Sequence, residues 1–269
     1  IITFDVVWVD DNGINHTNKG YRVQWNNLNG PYKGGLRFHS SVDVELFKNL
    51  AFEQTFKNIL TGLPMGGAKG GSDFDPHNKS ENEIKNFCYA FMDNLYQYIG
   101  EDVDVPAGDI GVGAREIRYL YERYQQITNK SDCSLTGKPL DMGGSLCRKE
   151  ATGYGLCYIV NKCLEDHNLS SFKDKKVVVS GSGNVAIYAA EKVTQLGGTV
   201  VAMSDSNNAI YNPDGIDLDL VKEIKENKRE RIKTYTNSKP ATLLGSKEIW
   251  NIRCDVALPC ATQNELNLD

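Results

Sequence analysis

From Gly143-Gly144 onward the chain alternates helix and strand patterns, and this alternation restricts the fold more than any other feature of the sequence. Helical periodicity covers about 152–166, and an apolar run at 176–180 reads as a strand. Helix 184–196, strand 199–203, helix 217–233 and strand 255–258 then follow. Strands separated by helical segments are joined by crossovers, which makes a parallel sheet. Val177-Val178-Val179-Ser180 runs directly into Gly181-Ser182-Gly183-Asn184-Val185-Ala186, a Gly-x-Gly-x-x-Ala turn that opens a helix. The first glycine permits the tight turn and the second lets a pyrophosphate approach the backbone. The helix N-terminus adds amide donors and a partial positive charge. Gly181, Ser182, Gly183, Asn184 and Val185 are therefore candidate dinucleotide contacts.

The same physics leaves the choice of dinucleotide open. Asp205, at the end of the second strand, stands where an acidic residue accepts hydrogen bonds from ribose hydroxyls, which points to NAD. Lys225, Lys228 and Arg231 recur every three residues on the predicted helix and share one face. That face either meets a 2′-phosphate or is a solvated basic surface.

The first half of the chain has a different texture. Residues 1–9 and 20–25 are β-rich, with turn residues Asp11-Asn12-Gly13 between them, and predict an antiparallel start. Helical spacing runs from 41 to 60. Residues 62–73 (GLPMGGAKGGSD) carry too many glycines for an ordinary element. Ser80 and Glu83 form a capping-box pattern ahead of the stripe Ile84, Phe87, Cys88, Phe91, Met92 and Leu95, with Gly100 as the expected C-terminal cap. An extended run from Asp102 to Val105 leads to the bend Pro106-Ala107-Gly108-Asp109, and a helix covers about 115–127. The change of texture sets a boundary near residue 147, giving units 1–147 and 148–269.

Three lysines in the first unit stand in unusual settings. Lys33 lies between a proline turn and Gly34-Gly35, and Lys69 lies among Gly66, Gly67, Gly70 and Gly71. Gln54 and Lys57, three apart on a helix, point the same way. Three cations and an amide suit a substrate with two carboxylates. For Lys33 or Lys57 taken singly, an ordinary surface charge is the more natural reading. Lys69 differs, because four glycines around one charge cost backbone entropy with no evident packing benefit. Enclosed beside other lysines, it would have a lowered pKa and could act as a base near neutral pH. Asp109, in a second glycine-rich bend, reads by itself as a turn or N-cap residue.

At these residues the chain resembles the hexameric glutamate dehydrogenases of bacteria and lower eukaryotes. The stretches GPYKGGLRFH, FEQTFKN, LPMGGAKGGSDFDP, DVPAGDIGVGAREI, GGSL, EATGYG, SGSGNVA and ALPCATQNEL carry the resemblance, in order, through nearly all 269 residues. It implies an α/β fold: a substrate domain with a mixed sheet followed by an incomplete Rossmann-like dinucleotide-binding domain. It implies reversible oxidative deamination of L-glutamate to 2-oxoglutarate and ammonia, in a homohexamer of the cytoplasm. By the same resemblance Lys33 grips the side-chain carboxylate, Gln54 and Lys57 hold the α-carboxylate, Lys69 is the catalytic lysine and Asp109 shuttles protons. Arg148 and Thr152 match positions beside the amide end of the cofactor. Ser204-Asp205-Ser206, with the basic residues that follow, resembles the NADP-preferring members, with NAD as the alternative. A related dehydrogenase acting on leucine, valine or phenylalanine is the competing enzyme, and Lys33 argues against it. Lys149 departs from the proline often found after the arginine. Both ends look cut relative to the family, so these 269 residues alone are expected to be inactive.

Composition excludes other classes. Thirty basic against 35 acidic residues give a net charge of -5, opposite in sign to a dedicated nucleic-acid binder. No apolar run approaches the roughly 20 residues that a membrane helix needs. Seven cysteines without a Cys-x-x-Cys pair read as reduced thiols, mostly buried in apolar stretches, and four histidines lack metal-ligand spacing.

Overall fold

The computed structural model describes residues 1–262 and 264–266. It divides into two units, Ile1–Leu146 and Cys147–Asp269.

The first unit opens with β1 (Ile2–Val9) and β2 (Asn15–Asn26), an antiparallel pair. Its turn is held by the Asp10 carboxylate, which accepts from the Asn12 and Ile14 amides. Then come β3 (Tyr32–Phe38), α1 (Val44–Ile59), β4 (Gly67–Ser72), α2 (Glu81–Leu95), β5 (Asp104–Gly108) and α3 (Ala114–Thr128). The strands form a mixed sheet in the order β1-β2-β4-β3-β5, with β4 and β5 parallel to β3 and β2 antiparallel to β4.

Alternation along the strands assigns the two faces. Leu36 and Phe38 enter the core built with α2 and α3, where Phe74 and Phe87 stack at 3.8 Å. Each fully buried phenylalanine there contributes ~1.5–3 kcal/mol. On the opposite face α1 buries Phe47 and Ala51 against Val23. The Ser80–Glu83 capping box forms as expected, with both reciprocal bonds present. Gly100 does not cap α2, which ends at Leu95; its amide donates to the Asp104 carbonyl and leads the chain into β5.

The glycine-rich stretch 62–73 corrects the expectation drawn from it. Residues 67–72 form β4, a strand buried along its whole length between β2 and β3. The glycines do have a packing role. A Cβ on Gly67 would stand 1.9 Å from the Thr55 hydroxyl of α1, and one on Gly71 (φ +143°) 1.8 Å from the Arg37 carbonyl. Lys33 likewise lies in a strand, β3, and not in a turn.

The second unit contains α4 (Ala151–Asp166), β6 (Lys176–Val179), α5 (Asn184–Gln195), β7 (Thr199–Ser204), β8 (Asn208–Tyr211), α6 (Leu218–Lys222), β9 (Thr242–Gly245) and β10 (Val256–Leu258). The sheet order is β10-β6-β7-β8-β9. β10, β6 and β7 are parallel, while β8 and β9, two four-residue strands too short to show a clear alternation, add an antiparallel edge that the sequence had not signalled. Val177 and Val179 face α5 and Val178 the other side, so the valine run is buried on both faces.

The predicted helix 217–233 is also corrected. Regular α-helix ends at Lys222, a wider turn spans Glu223–Asn227, Arg229 turns left-handed (φ +55°), and Ile232–Asn237 is a 3-10 segment. Residues 225–231 contain no apolar side chain, so Ile224 and Ile232, on either side, are the side chains that anchor this stretch in the apolar core.

Candidate active site

In the first unit, strand geometry gathers the charges. Lys69 pairs across from Val23 and therefore lies on the α1 side of the sheet. Lys33, Gly35 and Arg37 alternate along β3, and Asp109 follows directly after β5. Lys69 Nζ stands 3.1 Å from Asp109 Oδ2, and Arg37 Nε donates to the same oxygen at 2.8 Å. Lys69 is 7% exposed. Gly35 makes room for the pair: a Cβ there would lie 2.9 Å from Asp109 Cβ and 3.3 Å from Lys69 Nζ.

The electrostatics are unequal. Burial pushes the Lys69 ammonium below its ordinary pKa, and the charges of Arg37 and Lys57 push the same way, against the pull of Asp109. Burial would raise the Asp109 carboxyl, but Lys69 and Arg37 outweigh it and hold the pKa below the usual value. The cluster thus combines an ionised carboxylate with a lysine eased toward its neutral form, a suitable pair for moving protons.

Of the three residues expected to bind carboxylates, Lys57 acts on Lys69 through its charge, while Lys33 and Gln54 have hydrogen-bond partners of their own. Lys33 Nζ donates to Thr136 Oγ1 at 2.8 Å. Gln54 donates to Asn58 Oδ1, and Asn58, buried, donates to the carbonyls of Lys33 and Gly66. One buried amide therefore ties α1 to the strand that carries Lys33. Lys57 is exposed, with its charge acting on Lys69.

Arg37 and Asn58 were missed from the sequence. The spacing of Lys33, Gly35 and Arg37 would have revealed Arg37 had the segment been read as a strand. Arg22 and Asp104, both fully buried, form a second pair (2.5 Å) that sequence reasoning also missed.

In the second unit, Gly181 adopts φ +87° and its amide donates to Ser204 Oγ at 2.9 Å. Ser204 is buried and fastens the turn. Helix α5 starts after Gly183 with no side chain capping it, which leaves its first amides available to an anion. A cavity of about 320 Å³ opens beside Ser182, Gly183 and Asn184, with Lys149, Lys225 and Glu226 on its walls. A glycine cradle, an uncapped helix start and two lysines fit a dinucleotide phosphate.

Asp205 already accepts three backbone amides, from Asn207, Asn208 and Ile232. Although burial opposes it, these bonds hold its carboxyl below the usual pKa. Arg231 donates to Ser206 Oγ at 2.8 Å, and Lys225 donates to the Glu230 carbonyl. Burial and the charge of Arg231 lower the Lys225 pKa, against Asp205. Lys225 and Arg231 therefore meet near Asp205 and Ser206 through the chain reversal at Arg229. Lys228 is exposed and lies 3.9 Å from Glu223, in the turn before Arg229. The shared helix face expected of the three does not exist. Arg148 and Thr152 are exposed, on either side of the start of α4.

Among the described residues no group of His, Cys, Asp or Glu could hold a metal ion, and no helix is long and apolar enough to cross a membrane. Cys88 and Cys157 are buried, whereas Cys133, Cys147 and Cys163 are exposed, contrary to the expectation of mostly buried thiols.

Comparison with known proteins identifies the family. Residues 1–126 match the Glu/Leu/Phe/Val dehydrogenase dimerisation domain, and residues 143–269 match the Glutamate/Leucine/Phenylalanine/Valine dehydrogenase domain. An NAD(P)-specific glutamate dehydrogenase of Xylanibacter ruminicola is 56% identical over 99% of the chain, and an NADP-specific glutamate dehydrogenase of Helicobacter pylori is 54% identical over 99%. The chain spans 61% of the length of each. Among solved structures, the glutamate dehydrogenase of Plasmodium falciparum superposes with a TM-score of 0.94 at 52% identity, covering 98% of this chain and 57% of that one.

Proposed function

Because this chain belongs to the Glu/Leu/Phe/Val dehydrogenase family, we propose that the protein containing it is an oxidoreductase that interconverts L-glutamate with 2-oxoglutarate and ammonia using NADP(H). The observation that carries this reading is the buried Lys69–Asp109 pair, 3.1 Å apart and braced by Arg37. The substrate-binding and catalytic residues are those of unit 1, and the dinucleotide is held by unit 2.

Bound NADP(H) supplies hydride exchange at the substrate α-carbon. The remaining work falls to the side chains. Lys33 pairs with the distal carboxylate and sets the choice of a diacid over an apolar amino acid. Gln54 and Lys57 hold the α-carboxylate. Lys69, eased toward neutrality by burial, takes a proton from the attacking water and, once charged, stabilises the oxygen of the carbinolamine. Asp109, held ionised by its two cations, receives and returns protons at the substrate nitrogen.

NADP is favoured over NAD by the meeting of Lys225 and Arg231 beside Ser206, and by an Asp205 carboxylate already engaged with three amides. A homohexamer is the assembly that the family resemblance implies, and the exposed aromatic group Trp25, Phe52 and Phe56 is a surface of the kind that subunit packing covers. A cytoplasmic site of action in amino-acid metabolism and nitrogen assimilation follows from the same reading.

The test is a rate assay on the full-length protein with 2-oxoglutarate and ammonium, comparing NADPH with NADH, before and after Lys33→Leu. The expected results are faster oxidation of NADPH and a KM for 2-oxoglutarate raised at least tenfold by the substitution. Faster oxidation of NADH would return the cofactor assignment to Asp205. An unchanged KM would count against the diacid reading.

A further inference from the structure

The cavity beside the glycine turn has a wall that the dinucleotide motif does not account for. Lys149, just before α4, places Nζ 2.7 Å from Glu226 Oε1 and 5.4 Å from the centre of the Tyr188 ring. Tyr188 Oη donates to the same Glu226 oxygen at 3.2 Å. Tyr188 is buried on α5, so the ion pair is braced against the helix whose N-terminus opens the cavity. Lys149 and Glu226 line this cavity together with the Ser182–Asn184 turn.

These positions pose an electrostatic problem. A carboxylate beside a helix start that receives a pyrophosphate repels the ligand, in a site walled partly by protein where charges are weakly screened. Lys149 cancels that charge in the free protein. Lys149 lines the cavity and its side chain is 47% exposed, so a ligand there can reach it.

We propose that Lys149 is a pyrophosphate-binding residue, held ready by Glu226, and that its ammonium turns from the carboxylate toward the dinucleotide phosphates on binding. Glu226 acts as a latch that competes with the ligand for the same cation. The pyrophosphate is common to NADP and NAD, so Lys149 contributes equally to both. Lys225 and Arg231, near Ser206, discriminate between them. This inference rests on the dinucleotide reading given above.

The test is isothermal titration of the full-length protein with NADPH and with NADH, for wild type, Lys149→Gln, Lys149→Arg and Glu226→Gln. Lys149→Gln is expected to raise both Kd values about tenfold, the scale of one charge-assisted phosphate contact. Lys149→Arg should stay within about twofold of wild type, and Glu226→Gln should tighten both dinucleotides by about two- to threefold. Unchanged Kd values in Lys149→Gln would overturn the proposal, leaving Lys149 as a surface ion pair. A loss confined to NADPH would also overturn it, by moving the contact to the 2′-phosphate. If the wild-type protein bound neither dinucleotide, the underlying functional reading would fail as well.

Discussion

Asp109 is shared by two cations, and the sharing has consequences that can be measured separately. Its carboxyl is held below the ordinary value of 3.8 by Lys69 and Arg37 despite burial. A carboxyl with a depressed folded-state pKa adds stability above its unfolded pKa, and this stability is lost as pH falls through the folded value. Asp109→Asn should therefore lower Tm by roughly 5 °C at neutral pH, with the gap to wild type closing as pH drops below about 4. Thermal melts across that range check it; a gap independent of pH would mean that the carboxylate charge is not the source. Gly35 offers a second test at the same scale. An added methyl would press on Asp109 Cβ and Lys69 Nζ. Gly35→Ala should leave the fold intact by circular dichroism while kcat falls on the order of 100-fold, because small displacements of reacting groups are costly.

At the scale of elements, the stretch after α6 separates two kinds of basic residue. The break at Arg229 carries Arg231 back to Ser206, and the buried Ile232 amide fixes Asp205. Lys228, left on the exposed turn, pairs loosely with Glu223. Arg231→Ser should raise the KM for NADPH by about tenfold or more with little effect on NADH, and Lys228→Ala should change neither. Equal losses from both substitutions would restore the single basic helix face. β4 teaches a related lesson: its glycines read as an irregular loop, but they are the condition for α1 and the neighbouring strands to close around Lys69.

At the scale of the whole molecule, the exposed aromatics on β2 and α1 are the feature most in need of a partner. Phe52 contacts both Trp25 and Phe56 edge to face, yet each of the three is about half exposed. Such a patch on a monomer would favour aggregation. If the proposed homohexamer packs through this patch, Phe52→Glu combined with Phe56→Glu should convert the full-length protein to smaller species in light scattering, with secondary structure retained. An unchanged mass would show that this patch does not carry an interface between subunits.

The amino-acid sequence by itself determined what depends on neighbours in the chain. The glycine turn from β6 into α5, the Ser80–Glu83 capping box, the apolar stripe of α2 and the unusual glycine setting of Lys69 were legible from short-range spacing, whereas Asp109 read locally as a turn residue and was singled out only by the family resemblance. These features are governed by hydrogen bonds and sterics within a few residues. Tertiary structure alone decided which strand Lys69 occupies, that Arg37 joins it at Asp109, that Lys225 and Arg231 meet without sharing a helix, and that Lys149 engages Glu226. The physical reason is common to all four. Strand register and chain reversal are fixed by packing between residues far apart in sequence, such as Val23 across from Lys69 or Ile224 and Ile232 in one core, and no local pattern encodes the partner.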